Sequence, residues 1–81
     1  MTPDLSTCRK VAGIKQTMRA LREHRAEKLY LACDADPAVL EPIEAMGREQ
    51  QLTIDTSATM AQLGHSAGIA VGATVIAILS E

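Results

Sequence analysis

Seven of the eight Lys and Arg residues in this chain stand between Arg9 and Lys28: Arg9, Lys10, Lys15, Arg19, Arg22, Arg25 and Lys28. Only Glu23 and Glu27 oppose them there, a local net of +5. Elsewhere Arg48 and eight carboxylates leave −7, which recovers the overall −2. Binding answers to local fields rather than to the whole-chain sum, so a basic pole on a mildly acidic protein points to an anionic partner. The plainer reading of the same residues is a solvated cationic helix face.

Within the basic window, Lys15, Arg19 and Arg22 recur at i, i+4 and i+7, one stripe of a helix whose opposite side carries Ile14, Met18 and Leu21. Like charges at that spacing repel by roughly 0.2–0.5 kcal/mol per pair. Lys15 also falls at the helix start, where the positive end of the dipole disfavours a cation. A bound phosphate or base edge would resolve that conflict.

The remaining reactive side chains are sparse. Asp34-Ala35-Asp36 resembles a metal-binding or catalytic carboxylate pair, but Pro37 follows at once, so Asp36 reads better as a helix cap with proline at the first helical position. His65 has no Cys or carboxylate at ligand spacing and is expected to decorate a loop. Cys8 and Cys33 lack zinc-site spacing and are too few for a disulfide scaffold. Buried or semi-buried thiols in a reducing cytosol are the expectation. No phosphate-loop, nucleophile-elbow or H-E-x-x-H pattern occurs, so no catalytic residue, metal or cofactor is expected.

The elements that must position these residues can be read from periodicity and punctuation. Asp4 or Ser6 could cap a short helix through Cys8 and Lys10, leading to an extended piece at Val11 and Ala12. Gly13 punctuates, and a helix runs from Ile14. Leu29 to Cys33 reads as a strand buried on both faces, Pro37 to Met46 as a helix, and Leu52 to Asp55 as a half-exposed strand. Thr56 or Ser57 is expected to cap a two-turn helix stopped by Gly64. A glycine-punctuated loop to Gly72 and a strand from Thr74 to Leu79 complete the order. Such alternation implies an α/β fold: a three-layer α/β/α sandwich on a small mixed four-stranded sheet.

At 81 residues the chain is expected to form one domain spanning 1–81, near the lower size at which a core is self-sufficient. Apolar residues make up 47% and charged residues 22%, a globular balance. With no Trp, no Phe and one Tyr, the core must be aliphatic, and readers that stack bases on sheet aromatics are excluded. The N-terminus shows no signal-peptide pattern. The uncharged stretch from Thr56 to Ser80 is interrupted by Gln62, His65, Ser66 and Thr74, so no membrane association is expected.

Three blocks in register carry a resemblance: Gly13-Ile14-Lys15-Gln16-Thr17, Ala32-Cys33-Asp34-Ala35-Asp36-Pro37, and Leu63-Gly64-His65-Ser66-Ala67-Gly68-Ile69-Ala70-Val71-Gly72-Ala73. Their order and separation resemble the kink-turn-binding ribosomal proteins of the archaeal L-seven-Ae type, especially the short bacterial members, over about Val11 to Leu79. The resemblance implies an α/β/α domain that binds kink-turns, sharply bent RNA elements built on tandem sheared G·A pairs.

It also implies roles. In that family the helix start after the glycine enters the widened major groove, which assigns Gly13, Lys15 and Gln16 to the bend. Lys15 can donate to guanine O6 or N7, and the Gln16 amide oxygen can accept from a guanine amino group. Arg19 matches a family Lys and could take a phosphate. Ile69, Ala70 and Val71 match the apolar loop that packs on extruded bases, and Asp36 matches an acidic residue that contacts one. The loop often has Glu where Ala70 stands, and relatives often have Lys or Arg at His65. Each lost contact could weaken binding by about 1–3 kcal/mol.

The expectation is thus a cytoplasmic, non-enzymatic, ribosomal-protein-like binder of kink-turn RNA, with the ribosome a further partner and no small-molecule substrate. Its alternative is a ribosome-associated or protein-interaction module on the same fold, with weak or no RNA binding. A hydrolase using Asp34 and Asp36 is a distant third.

Overall fold

The computed structural model describes residues 9–68 and 72–80. Strand β1 (Lys10–Ala12) leads to helix α1 (Ile14–Arg22), and β2 (Ala26–Leu31) to α2 (Pro37–Glu49). Then follow β3 (Thr53–Asp55), α3 (Met60–Ala67) and β4 (Val75–Leu79). The sheet order is β1-β4-β2-β3, with β4 antiparallel to both neighbours and β2 parallel to β3. The expected α/β/α sandwich on a mixed four-stranded sheet is what forms.

Strand periodicity explains the layers. Leu29, Leu31, Val75 and Ala77 pack with Leu21 of α1 and with Leu40 and Ile43 of α2. The alternate residues Tyr30, Ala32 and Ile76 pack on the other face with Leu63 and Ala67 of α3. A period of two thus feeds two aliphatic half-cores from the same central strands. Each fully buried Leu or Ile contributes about 1.5–3 kcal/mol. Helix α2 lies close to the sheet at Gly47, where a Cβ would stand 2.6 Å from Leu29 Cδ1 and 3.2 Å from Ile54 Cδ1.

Several boundaries depart from expectation, each for a local reason. Strand β2 ends at Leu31 rather than at Cys33, and begins at Ala26 despite Glu27 and Lys28. An irregularity opposite Ala26 and Lys28 shifts the parity, letting Ala26 join the same half-core as Leu29. Cys33 therefore lies beyond the strand and is exposed, not buried or semi-buried. Helix α3 passes through Gly64, which is buried, and ends instead on Gly68 at φ 74° in the left-handed region. Its cap is Thr59, in a reciprocal box with Gln62, rather than Thr56 or Ser57. Ser57 is held by Asp55. His65 accordingly stands in the last turn of a helix and not in a loop. The short helix expected over Asp4 to Cys8 lies outside the described residues, and Lys10 belongs to β1.

Candidate nucleic-acid interface

The topology gathers separate stretches at one end of the sheet. Strands β1, β2 and β3 run in one direction, so their carboxyl ends lie together where β4 begins. Each of the three helices starts from that end, after Gly13, Asp36 and Thr59 respectively. The Gly13 N–H donates to the Val75 carbonyl at 3.0 Å, and the Ala32 N–H to the Thr74 carbonyl at 2.9 Å, which fixes the two turns against the start of β4.

Gly13 adopts φ 95° and ψ 162°, a combination essentially confined to glycine. No heavy atom lies within 4 Å of where its Cβ would be, so backbone conformation rather than crowding demands the glycine. As the N-cap of α1 it supplies no side-chain acceptor, and the first turn holds no acidic residue. The N-terminal N–H groups of α1 thus keep a positive field that no side chain of the helix offsets.

Around that tip Ile14, Lys15, Gln16, Met18, Arg19 and Arg22 line a shallow groove of about 480 Å³ that holds three cations and no carboxylate among the described residues. Lys15, Gln16, Arg19 and Arg22 are exposed, whereas Thr17, Ala20 and Leu21 are the buried face. Ile14 and Met18 are half-buried and floor the groove instead of lying wholly opposite the charges. Lys15 and Arg22 have no carboxylate partner among the described residues. Arg19 Nε reaches Glu23 at 3.3 Å, and Arg25 reaches the other oxygen of the same carboxylate at 3.3 Å. The Arg19 and Arg25 hydrogen bonds lower the Glu23 pKa below its ordinary range.

Both aspartates of the DxD have structural tasks. Asp36 Oδ1 accepts from the Ala38 N–H at 3.0 Å, capping α2 with Pro37 at its start. Asp34 Oδ1 accepts from the Met60 N–H at 2.8 Å. No group of three or more His, Cys, Asp or Glu side chains able to hold a metal occurs among the described residues. No helix there is long and apolar enough to cross a membrane.

Ile69, Ala70 and Val71 lie outside the described residues. Gly13, Lys15, Gln16, Arg19 and Asp36 all belong to the end of the sheet just described or to the first two turns of α1. Glu23, as the intramolecular partner of Arg19, was not singled out by sequence reasoning. Its i+4 spacing from Arg19 was the available signal.

Fold and site together define a small α/β/α domain with a cationic helix tip. The same architecture occurs in the Giardia lamblia 15.5kD RNA-binding protein, with a TM-score of 0.82 at 18% identity over 90% of this chain and 62% of that one. It recurs in a Bacillus halodurans protein of unknown function, with a TM-score of 0.79 at 17% identity over 86% of this chain and 70% of that one.

Sequence goes further. The chain is 41% identical to an RNA-binding protein of Geobacillus thermodenitrificans and 39% identical to RNA-binding protein YbxF of Geobacillus stearothermophilus. Both matches cover 85% of this chain and 84% of the relative. An RNA-binding protein of Halalkalibacterium halodurans is 38% identical over 84% of this chain and 83% of its own. The chain belongs to this family of short bacterial proteins. No family model matches it.

Proposed function

We propose that this protein is a non-enzymatic, cytoplasmic RNA-binding protein that recognises kink-turns. The observation that carries the reading is the α1 tip: an uncapped helix start at Gly13 with Lys15 and Gln16 exposed in its first turn and three cations lining one groove. The names of its relatives support RNA as the ligand class. Lys15 and Gln16 would read the G·A pairs by donating to guanine O6 or N7 and accepting from its amino group. Arg19 and Arg22 would neutralise phosphates drawn together by the bend. Ile69, Ala70 and Val71 would pack on extruded bases, and Asp36 would contact one of them while capping α2.

The mechanism is conformational. A kinked RNA is one member of an ensemble, and a binder selective for it shifts that population. A ribosomal or other kink-turn-containing RNA would serve equally in these terms.

The test is a gel-shift titration of a standard kink-turn hairpin beside a straight duplex of equal length. Lys15→Ala or Gln16→Ala should weaken hairpin binding by about 1–3 kcal/mol, roughly five- to 150-fold. Arg25→Ala, already tied to Glu23, should act weakly and on both RNAs alike. Equal affinity for hairpin and duplex would defeat the reading and leave generic charge attraction.

A further inference from the structure

The opposite flank of α2 carries a second groove, of reversed polarity. Gln50 Nε2 donates to the Leu21 carbonyl at 2.7 Å and so marks the flank of α2 that faces α1. At roughly 100° per residue Glu41 stands half a turn round from Gln50, with Glu44 beside it. These two therefore look away from α1, over the β3 side of the sheet. There a groove of about 380 Å³ has Leu31, Ala35 and Leu40 as apolar floor and Glu41 and Glu44 as one wall, with no Lys or Arg among the described residues of its lining. Its rim holds Cys33 and Thr56, whose neighbours Asp34 and Asp55 are engaged elsewhere, by the Met60 N–H and by Ser57.

We propose that this groove docks a protein partner through an extended segment carrying a Lys or Arg between apolar residues. Charge selects the occupant. Glu41 has no cationic partner among the described residues. Arg48 holds Glu44 at 3.3 Å from a side chain 72% exposed, where water and an incoming cation both compete. A polynucleotide is repelled by the same carboxylates. The floor rewards apolar side chains on either side of the cation. Strand β3 is an edge of the sheet among the described residues, with β2 as its one strand partner there, so an extended segment gains main-chain partners just before Thr56 as well. The inference goes beyond the RNA reading and does not rest on it: Glu41 and Glu44 take no part in that reading, although Ala35 and Pro37 of the groove stand on either side of Asp36.

The experiment uses the full chain, nitrogen-15 labelled, titrated with acetyl-Val-Lys-Leu-Arg-Val-amide and, separately, with its charge-reversed form bearing Glu and Asp. The basic peptide should give saturable amide shifts at Cys33, Ala35, Glu41, Glu44 and Thr56 and leave Lys15 to Arg22 unmoved. Glu41→Gln with Glu44→Gln, both surface changes whose folding the same spectra verify, should weaken it roughly five- to tenfold. That variant should bind the kink-turn hairpin as the parent does. The proposal is overturned by no saturable shift up to about 2 mM peptide, a range that still detects very weak docking. It is equally overturned if the acidic peptide responds alike, if the shifts cluster on α1, if hairpin RNA displaces the peptide from the groove, or if protein concentration alone moves the same amides.

Discussion

Asp34 Oδ1 lies 2.8 Å from the Met60 backbone nitrogen, so the turn after β2 caps the first turn of α3 across 26 residues of chain. Met60 is a junction. Its carbonyl accepts from the Ala73 N–H at 3.0 Å, and Gly72 approaches so closely that a Cβ there would be 3.3 Å from the Met60 backbone. One residue thereby holds together the β2–α2 turn, the start of α3 and the approach to β4. Asp34→Ala should destabilise the protein by about 1 kcal/mol through loss of this cap, whereas Asp34→Asn, which keeps an acceptor, should lose much less. Urea unfolding followed by circular dichroism decides between them. Equal losses would show that the charge rather than the hydrogen bond matters.

Gly13→Ala should be costly although nothing crowds the site. The residue must hold φ 95° and ψ 162°, and forcing an L-residue there costs about 1–3 kcal/mol or else moves the start of α1. The expected result is a lower unfolding midpoint together with weaker hairpin binding. Unchanged stability and unchanged affinity would contradict the geometry.

Glu23 competes with RNA for Arg19. Both Arg19 and Arg25 reach its carboxylate at the surface, so Glu23→Gln should raise RNA affinity by roughly twofold, more at low salt. Because the folded-state pKa of Glu23 is depressed, the ion pairs contribute above its ordinary value of 4.5 and fade as pH falls through the lower folded value. Glu23 therefore contributes no change in affinity between about pH 6 and 8. A carboxyl carbon titration followed by NMR should find its midpoint below that of an exposed glutamate; a midpoint at or above it would remove the bridging geometry.

Thr17 is fully buried, and its hydroxyl oxygen has no hydrogen-bond partner among the described residues. Thr17→Val keeps the shape and deletes an unsatisfied polar atom, so it should stabilise the fold by about 1 kcal/mol. Thermal unfolding reads this directly. A lowered midpoint would mean the hydroxyl is paired after all.

Much of this molecule was legible before any coordinate. The start of α1 after Gly13 and the Asp36-Pro37 opening of α2 are written in local chemistry: a residue free to take positive φ, and a carboxylate before a ring that fixes φ. The exposed Lys15, Arg19 and Arg22 stripe followed from the helical period, as did the two-sided burial of Leu29 to Leu31. Where strand and helix ended was less legible. Helices α1 and α2 stop at left-handed His24 and Gln51, neither of which signals a stop by its type. Gly64 continues a helix because the Thr59–Gln62 box sets its start and Gly68 ends it.

What the linear chain determined, then, was the sign of the charge on each helix and the residues fit to cap or break an element, since these depend on neighbours three or four positions apart. Tertiary structure alone decided that Asp34 serves Met60, that Gln50 reaches the Leu21 carbonyl, and that the cationic and acidic grooves fall on opposite flanks of one helical layer. Those relations depend on which strands pair and in what direction. That is set by contacts distant in sequence, so no local pattern could encode them.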